Sequence, residues 1–311
     1  MVLAAALAAG TATAAHPRLD AKRPEGWYRT AEAKRIADNV LSYQTPSGGW
    51  PKNVDMEAGP AAPGISPGRA TIDNGATTDQ LRFLMRLHAA GGGTPYGQAV
   101  RRGVDWLLAA QYPNGGWPQL FPLARGYRGR ITINDDAMVN VLEVLRDLAR
   151  DGGGGVDSAR REAAGAAVRK GVECILRCQV AVADKRTAWC QQHDEKTFAP
   201  APGRSFEAAA LVSAESVRVV RFLMGEPSSP AVTGAIEAAV AWLRKVRLPD
   251  GRWARFYEIG TDRPVFCGRD GIVRYSMDGI EAERREGYAW FTDRPAKLLS
   301  KDYPRWRGRK P

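Results

Sequence analysis

A repeated turn constrains the fold of this chain more than any other feature of its 311 residues. The string QTPSGGWP, with its tryptophan at Trp50, returns as QYPNGGWP around Trp117, 67 positions later. A third, weaker copy, DGRW, ends at Trp253, which follows Trp117 by 136 positions, about twice the first spacing. The doubled spacing predicts a degenerate copy in between, and Trp189 lies near the expected place. A period of this length indicates an array of repeated supersecondary units.

Helical patterns fill the stretches around these turns, because apolar residues recur there at spacings of three and four. One series precedes the turns, at residues 33–44, 99–111, 164–179 and 236–247. A second series lies between them, at residues 74–91, 134–151 and 206–225. Two helices per unit predict stacked helical hairpins that bury a common core. We therefore expect a mainly α protein, an α/α barrel built as a toroid of helical hairpins, with the turns on one rim.

The two ends of the chain depart from this pattern. Residues 1–15 read MVLAAALAAGTATAA, a short apolar stretch that closes on the small-x-small pattern of a signal peptidase site. We expect a signal peptide at 1–15, a secreted or periplasmic protein, and a single catalytic domain over 16–311, where no linker divides the chain. The segment from Asp250 to Trp290 mixes short β-prone runs with turns, which predicts a small β-rich element near the C-terminus.

Composition restricts the class of partner. The chain carries 45 Lys and Arg against 34 Asp and Glu, a formal net charge of +11, which favours an acidic ligand. The basic residues are scattered and no RNA-binding aromatic motif accompanies them, so we expect no nucleic acid partner. No apolar run beyond the N-terminus is long enough to span a bilayer, so we expect no membrane partner. A monomer acting on an acidic polysaccharide is the expectation. The four cysteines leave disulfides open, with three connectivities for two bridges.

Acidic and amide side chains gather where the second-series helices begin, as Asp73-Asn74 in one unit and Asn134-Asp135-Asp136 in the next. Helix capping explains a lone Asp or Asn at such a place, but equivalent positions of two units converge when the array closes. Converging oxygen atoms suit a hard cation such as Ca²⁺. We therefore predict Asp73, Asn74, Asp135 and Asp136 as metal ligands. The alternative is a carboxylate pair acting as acid and base on a glycosidic bond.

Basic and aromatic side chains complete the predicted site. At the matching place the third unit has Arg204-Ser205-Phe206-Glu207, which puts an arginine, either catalytic or paired with Glu207, beside the acidic rim. Arginine forks bind carboxylates through two bonds, so the arginines of the final segment are predicted to grip uronate groups, with a solvated basic loop as the alternative. Trp50 is either a core anchor or a sugar platform. The predicted substrate-binding residues are Lys52, Trp50, Arg263, Arg269 and Arg274.

Several of these stretches, in this order, resemble the family 10 pectate lyases from about Trp27 to Trp290. The stretches are TIDNGATTDQ from Thr71, ITINDDAMVNVL from Ile131, TAWCQQHD from Thr187, RSFE from Arg204 with SAES from Ser213, RFYEIGTDRPVFCGRDGIVRY from Arg255 and EGYAW from Glu286. The resemblance implies an α/α barrel with a small β-rich part, Ca²⁺ bound together with substrate, and an arginine base. By position it implies that Asp73 and Asp135 are the metal-and-substrate aspartates and that Arg204 is the catalytic base. It also implies that Arg274 is a ligand of the substrate carboxylate. The residues after Glu207, AAALVS, depart from the family pattern.

The function expected from this resemblance is β-elimination of α-1,4-linked polygalacturonate, giving 4,5-unsaturated oligogalacturonates. Because the pKa of arginine exceeds about 12, an arginine base predicts an alkaline optimum. Two alternatives remain open at this stage. One is an inverting glycoside hydrolase on an acidic polysaccharide, and the other is a non-catalytic pectate-binding protein.

Overall fold

The computed structural model describes residues 18–151 and 155–308, so the predicted signal peptide at 1–15 lies outside the described residues. Within them, seven longer helices alternate between two rows. The outer row holds α1 (Ala31–Ser42), α3 (Thr94–Ala110), α5 (Ser158–Cys178) and α7 (Pro230–Lys245). The inner row holds α2 (Thr78–Ala89), α4 (Ala137–Asp151) and α6 (Ser213–Leu223). Each helix packs against its neighbours in the same row and in the other row. The predicted array of helical hairpins is confirmed.

Local chemistry explains where the outer helices begin. The side chains of Thr30, Asp157 and Ser229 accept hydrogen bonds from backbone N–H groups of the first turns of α1, α5 and α7. These caps satisfy donors that a helix leaves unpaired. Outer helices bury one face, whereas α4 and α6 bury most of their circumference. The inner row therefore forms the centre of the core.

The tryptophan turn occurs in four copies, including the degenerate one that the spacing predicted. The indole N–H groups of Trp50, Trp117, Trp189 and Trp253 each donate to a carbonyl of the preceding outer helix at 2.7–2.8 Å. All four rings are at most 1% exposed. Trp50 is therefore a core anchor, and the prediction that it contacts substrate is wrong, because a ring with no accessible surface cannot stack on a sugar.

A glutamine ladder joins each unit to the next. The side-chain N–H₂ groups of Gln44, Gln111 and Gln179 donate to the turn that follows them. The same groups also donate to Ala99, Ala167 and Ala235 of the next outer helix, at 2.9 Å in every case. The repeated geometry of the three units thus follows from a glutamine that donates both to its own turn and to the next outer helix.

Close packing requires a glycine at the first position of each Gly-Gly-Trp sequence. Gly115 has φ +92°, and a Cβ atom there would lie 2.1 Å from the carbonyl oxygen of Lys170 on α5. Gly48 repeats the arrangement with φ +106° against Arg102 on α3. Only glycine fits a left-handed backbone that touches another backbone.

The strands are short and mostly antiparallel pairs at the rim and in the C-terminal part. They are β1 (Ile131–Thr132), β2 (Ala181–Val182), β3 (Lys185–Arg186), β4 (Gln192–His193), β5 (Pro200–Ala201), β6 (Leu211–Val212), β7 (Trp253–Ala254), β8 (Phe256–Tyr257), β9 (Phe266–Cys267), β10 (Val273–Arg274) and β11 (Phe291–Thr292). The pairs are β1–β4, β4–β5, β2–β3, β6–β8, β7–β11 and β9–β10. Short helices α8 (Ala282–Gly287), α9 (Arg294–Lys297) and α10 (Tyr303–Arg307) follow. The predicted β-rich element near the C-terminus is confirmed.

One predicted helix starts later than the sequence pattern suggests. The pattern places a helix over 206–225, whereas α6 begins at Ser213 and Leu211–Val212 is strand β6. The backbone N–H groups of Val212 and Ser213 donate to the carbonyls of Trp189 and Arg255. These bonds to neighbouring turns hold the chain extended, and they outweigh the local helical propensity of the alanines before it.

Two findings bear on the remaining general expectations. No helix in the described part of the chain is long and apolar enough to cross a membrane. All four cysteines, Cys174, Cys178, Cys190 and Cys267, are buried free thiols. The disulfides that the sequence left open are thus not formed.

Candidate active site

The site lies at the rim where the turns meet the inner helices, and backbone hydrogen bonds put its units in register. The N–H groups of Ile72, Ile133 and Ser213 donate to the carbonyls of Gln119, Gln191 and Arg255, each two positions after a turn tryptophan. The residues that follow the three donors therefore occupy equivalent places. They are Asp73 and Asn74 in the first unit, Asn134 and Asp135 in the second, and Ala214 and Glu215 in the third.

This register corrects the sequence alignment of the third unit. Arg204-Ser205-Phe206-Glu207 does not occupy the place of the acidic pair, because Ala214-Glu215 occupies it. Arg204 lies in the loop that precedes β6, nine residues before Ser213. The sequence pattern does not reveal this because the connection between the turn and the inner helix differs in length from one unit to the next.

Side chains two positions after the four tryptophans point toward the same centre. These residues are Lys52, Gln119, Gln191 and Arg255. Two of the carboxylates at the starts of inner helices, Asp73 and Glu215, are each held by two of them. Oδ2 of Asp73 accepts from Lys52 and Gln119, and Oε1 of Glu215 accepts from Gln191 at 3.0 Å and from Arg255 at 2.7 Å.

Asp73 keeps one oxygen for another partner. The residue is 3% exposed, yet its Oδ1 atom is buried without a hydrogen-bond partner in the described residues. A buried unsatisfied carboxylate oxygen is costly and calls for a ligand. Asn74 follows with φ +52° and ψ +29°, and Asp135 has nearly the same angles, +52° and +30°. Left-handed backbone at a residue other than glycine is strained and concentrates at functional sites.

Asp135 and Asp136 carry perturbed acidities. Burial raises the pKa of Asp135; the guanidinium groups of Arg255 and Arg204 oppose this shift, and the charges of Glu215 and Asp73 add to it. Burial likewise raises the pKa of Asp136 to about 6, against the opposing charge of Arg294. The charges of Asp73 and Arg204 both act on the Asp135 carboxyl, so both groups lie in its neighbourhood; the roles of the three residues stay predictions.

A cavity of about 310 Å³ opens in front of these groups. Three carboxylates and one amide line it, together with three arginines: Asp135, Asp136, Glu215, Asn74, Arg18, Arg255 and Arg294. Arg294 pairs with Asp136 at 3.2 Å, and Arg18 pairs with Asp79 at 2.7 Å. Charges of both signs therefore face one polar cavity, as an anionic ligand bound with a cation would need.

Arg204 is not among the residues that line this cavity, and its side chain is 44% exposed. Its guanidinium pairs with Glu207 and lies 4.7 Å from the ring centroid of Phe206. Burial by itself lowers the pKa of Arg204, but the Glu207 carboxylate outweighs burial and holds that pKa above the ordinary value. The same pair depresses the pKa of Glu207, although burial opposes that shift.

The other predicted substrate ligands lie in different surroundings. Lys52 lies at the centre of the rim, 40% exposed and paired with Asp73. Arg269 pairs with Glu283 at 2.8 Å and approaches the Phe206 ring at 5.9 Å, next to Arg204. Arg274 pairs with Asp270 at 2.6 Å, and Arg263 stacks on Tyr275 at 3.5 Å. Neither Arg263 nor Arg274 lines the cavity. Their roles toward substrate stay predictions.

Sequence reasoning missed two residues that the structure brings to the centre, Arg255 and Glu215. In the sequence, both stand inside stretches that resemble the family, Arg255 in RFYEIG and Glu215 in SAES, without any signal that assigns them a role. The register of the tryptophan turns is the signal that could have found Arg255, because it stands where Lys52 stands in the first unit.

The oxygen atoms of the acidic rim suit a hard cation, but the protein supplies only some of the ligands that such a cation takes. In the described residues, no three His, Cys, Asp or Glu side chains group as a ready metal centre. The available donors are oxygen atoms of Asn74, Asp135 and Asp136 on the cavity wall and the unpaired Oδ1 of Asp73. Oxygen donors of this kind suit Ca²⁺, which also takes ligands from water and from bound anions.

Comparisons with known proteins agree with this geometry. The pectic acid lyase profile matches residues 44–252 and 249–299. The structure of a mutant family 10 polysaccharide lyase from Cellvibrio cellulosa, in complex with trigalacturonic acid, is 32% identical in sequence and superposes with a TM-score of 0.82. That match covers 92% of this chain and 98% of the other. A second structure of a family 10 polysaccharide lyase from Cellvibrio cellulosa is also 32% identical, with a TM-score of 0.79, over 94% of this chain and 99% of the other. No curated protein matches the chain.

Proposed function

We propose a mechanism for this chain, which belongs to the pectic acid lyase family and is a pectate lyase of polysaccharide lyase family 10. In this mechanism the chain cleaves polygalacturonate with Arg204 as base and with Ca²⁺ beside Asp73 and Asp135. The single observation that supports the proposal is the backbone register of the rim, in which the N–H groups of Ile72 and Ile133 donate to equivalent turns and so put Asp73 and Asp135 at the starts of neighbouring inner helices. The charge of Arg204 acts on the same Asp135 carboxyl. The family match decides against the hydrolase and binding-protein alternatives.

The reaction is a β-elimination that needs no co-reactant other than water. The base removes the proton at C5 of a galacturonate ring, and the electron pair forms the C4–C5 double bond. The bond between C4 and the glycosidic oxygen breaks, and the leaving oxygen takes a proton from water. The products are a new reducing end and a 4,5-unsaturated sugar at the new non-reducing end.

Arg204 accepts the C5 proton only in its neutral form. Glu207 keeps the pKa of Arg204 above the ordinary value, so the neutral fraction is small and increases with pH. A base of this kind requires alkaline conditions. In return, Glu207 orients the guanidinium, because Oε2 accepts from the Arg204 backbone N–H at 2.9 Å while Oε1 holds its side chain.

The cation would be held by Oδ1 of Asp73 and by Asn74, Asp135 and Asp136, with the substrate carboxylate completing the set. A Ca²⁺ ion held by these residues would supply stabilisation of the negative charge that develops on the uronate when C5 loses its proton. Lys52 and Gln119 occupy Oδ2 of Asp73 and so direct Oδ1 away from them. Asp136 is a weaker ligand than Asp135, because Arg218 and Arg294 already lie near its carboxylate.

The test follows the ultraviolet absorbance of the unsaturated product from polygalacturonate, with and without a chelator. The wild-type protein is expected to give absorbance that a chelator abolishes and added Ca²⁺ restores. Arg204→Ala is expected to reduce kcat by about 10³-fold or more, as loss of a proton-transfer group does. Arg160→Ala, an exposed arginine that pairs with Asp105 and Asp157 on the outer row, serves as control. Near-normal activity of Arg204→Ala would reassign Arg204 to structure.

The metal ligands are tested separately by Asp73→Asn and Asp135→Asn. Both variants keep the size of the side chain and lose its charge, so the concentration of Ca²⁺ needed for half-maximal activity should rise for each. An unchanged Ca²⁺ requirement in both variants would move the cation elsewhere.

Export of the protein is a further part of the proposal. The apolar stretch with its small-residue cleavage pattern supports it. Expression of the full chain in a bacterial host should give a periplasmic or extracellular product whose first residue lies near Ala15. A cytoplasmic product with the stretch intact would contradict this.

A further inference from the structure

Arg255 is the most enclosed cation on the cavity wall. Its side chain is 15% exposed and it lines the cavity together with Asp135 and Glu215. One terminal nitrogen, Nη2, makes all of its polar contacts, to Glu215 at 2.7 Å, to Asn134 at 3.4 Å and to Asp135 at 3.6 Å. Arg255 is thus fixed by acidic and amide groups from two neighbouring units.

The rest of the guanidinium is left for another partner. Its Nε atom is buried without a hydrogen-bond partner in the described part of the chain. The ring of Tyr288 lies 4.8 Å from the guanidinium carbon and that of Phe256 lies 5.8 Å away, so aromatic faces cover it without satisfying its N–H donors. A buried donor without an acceptor costs stability, and because Arg255, unlike Arg146, also lines the cavity, an anionic acceptor bound there can reach its guanidinium.

Glu215 positions Arg255 by accepting a hydrogen bond from its Nη2 atom at 2.7 Å. The carboxylate is 2% exposed and is held by Gln191 at 3.0 Å from the neighbouring turn. Its Oε2 atom is itself buried without a partner among the described residues. Two rigid turns and the start of α6 therefore fix the orientation of the guanidinium before any ligand binds.

We propose that Arg255 is a specificity-determining residue that binds a free uronate carboxylate of the substrate, and that Glu215 is its positioning residue. The proposal rests on the proposed function, since it assigns this site a preference among substrates of the same reaction. An arginine fork matches a carboxylate in two parallel bonds. A methyl ester offers no negative charge and leaves the buried N–H donors poorly paired. Arg255 thereby makes the enzyme prefer unesterified over methyl-esterified galacturonate.

The experiment compares kcat/KM on polygalacturonate and on highly methyl-esterified pectin. Arg255→Gln is expected to lose about 10²-fold on polygalacturonate and a few-fold or less on the esterified substrate, since a site built to pair a polar group discriminates strongly against ligands that lack it. The ratio of the two constants should therefore fall by more than tenfold. Equal losses on both substrates would overturn the proposal, because they would mean that Arg255 serves the chemistry or the fold alone.

The chain offers a closely matched control in Arg146. Its side chain is 18% exposed and pairs with Glu226 at 3.0 Å; the ring of Phe222 lies 5.0 Å away, and its Nε atom is also buried and unpaired. It lies in the C-terminal half of α4, away from the rim, and does not line the cavity. Arg146→Gln should leave the substrate ratio unchanged. A fall of the ratio in this variant would show that loss of any such ion pair produces the effect.

Glu215→Gln tests positioning. The variant retains Arg255 but loosens it, so KM for polygalacturonate should rise more than kcat falls, and the substrate ratio should shift in the same direction as in Arg255→Gln. A loss confined to kcat with an unchanged ratio would contradict the positioning role. If Arg255→Gln alone fails to fold because Glu215 is left buried and unpaired, the double variant Arg255→Gln/Glu215→Gln removes both charges. It should fold and show the lowered ratio, and a folded double variant with the wild-type ratio would overturn the proposal. Wild-type activity on polygalacturonate in the same assay separates failure of this inference from failure of the proposed function.

Discussion

Protonation of His193 should destabilise the fold when the solution is acidified from about pH 7 to about pH 4. The ring is fully buried in β4. Its Nδ1 atom faces the carbonyl of Phe198 at 2.9 Å, and its Nε2 atom accepts from the backbone N–H of Cys190 at 3.1 Å. These partners require a neutral ring with its proton on Nδ1, because a second proton on Nε2 would face the Cys190 N–H.

The structure sets the magnitude. Burial lowers the pKa of His193 from 6.5 to about 4, although both backbone partners oppose the shift. The unfolded chain therefore binds a proton at this residue between those two values and the folded chain does not. The stabilisation is fully present above about pH 6.5 and is lost as pH falls toward 4. Each pKa unit corresponds to about 1.4 kcal/mol, so the residue contributes about 3 kcal/mol to the pH dependence of unfolding.

Urea unfolding at several pH values measures this term. Carboxylates also lose stabilising interactions in acid, so the comparison is between wild type and His193→Gln, which cannot titrate in this range. The free energy of unfolding of the wild type should fall by about 3 kcal/mol more than that of the variant between the two ends of the range. His88→Gln, which changes the other described histidine, serves as control for the loss of an imidazole.

Parallel pH profiles for wild type and His193→Gln would refute the reasoning, since they would mean that the buried ring accepts a proton without a free-energy penalty. The result matters for the site, because His193 anchors the strand that follows Gln191. We expect that acid which protonates His193 also loosens Gln191, the residue that donates a hydrogen bond to Glu215.

Three further predictions concern the site and the array. Glu207→Gln removes the carboxylate that raises the pKa of Arg204, so the rise of kcat/KM with increasing pH should begin at lower pH. An unchanged pH profile would argue against Arg204 as base. Gln111→Ala loses one hydrogen bond to its own turn and one to the next unit and should lower the free energy of unfolding by about 1–3 kcal/mol in urea titration; an unchanged value would exclude the glutamine ladder as a source of stability. The four buried free thiols should react with a thiol reagent only after denaturation, and prompt reaction of the native protein would contradict their burial.

The sequence by itself determined the architecture. A glycine that must take a left-handed backbone, a tryptophan that fills the space behind it and apolar residues at helical spacing are local requirements, and their recurrence is visible in one dimension. The degenerate copy at Trp189 was predicted from spacing alone and then found with the same indole hydrogen bond as the others. Asp73, Asn74, Asp135 and Asp136 could be proposed because they recur at the start of successive inner helices.

Only the tertiary structure decided which side chains meet. Arg255 bonds Glu215 across 40 residues and Asn134 across 121, and no short-range pattern encodes such pairs. In the sequence, Arg204 aligns with the acidic pair of the other units, although Ala214-Glu215 occupies that place in the structure. The reason is that the loop length differs between units, whereas the backbone hydrogen bonds between turns are the same in each. Trp50 looks the same in the sequence whether it faces a sugar or the core, and packing alone buried it. Local chemistry thus specified the repeating unit, whereas the stacking of units specified the register, the burial and the partners on which the site depends.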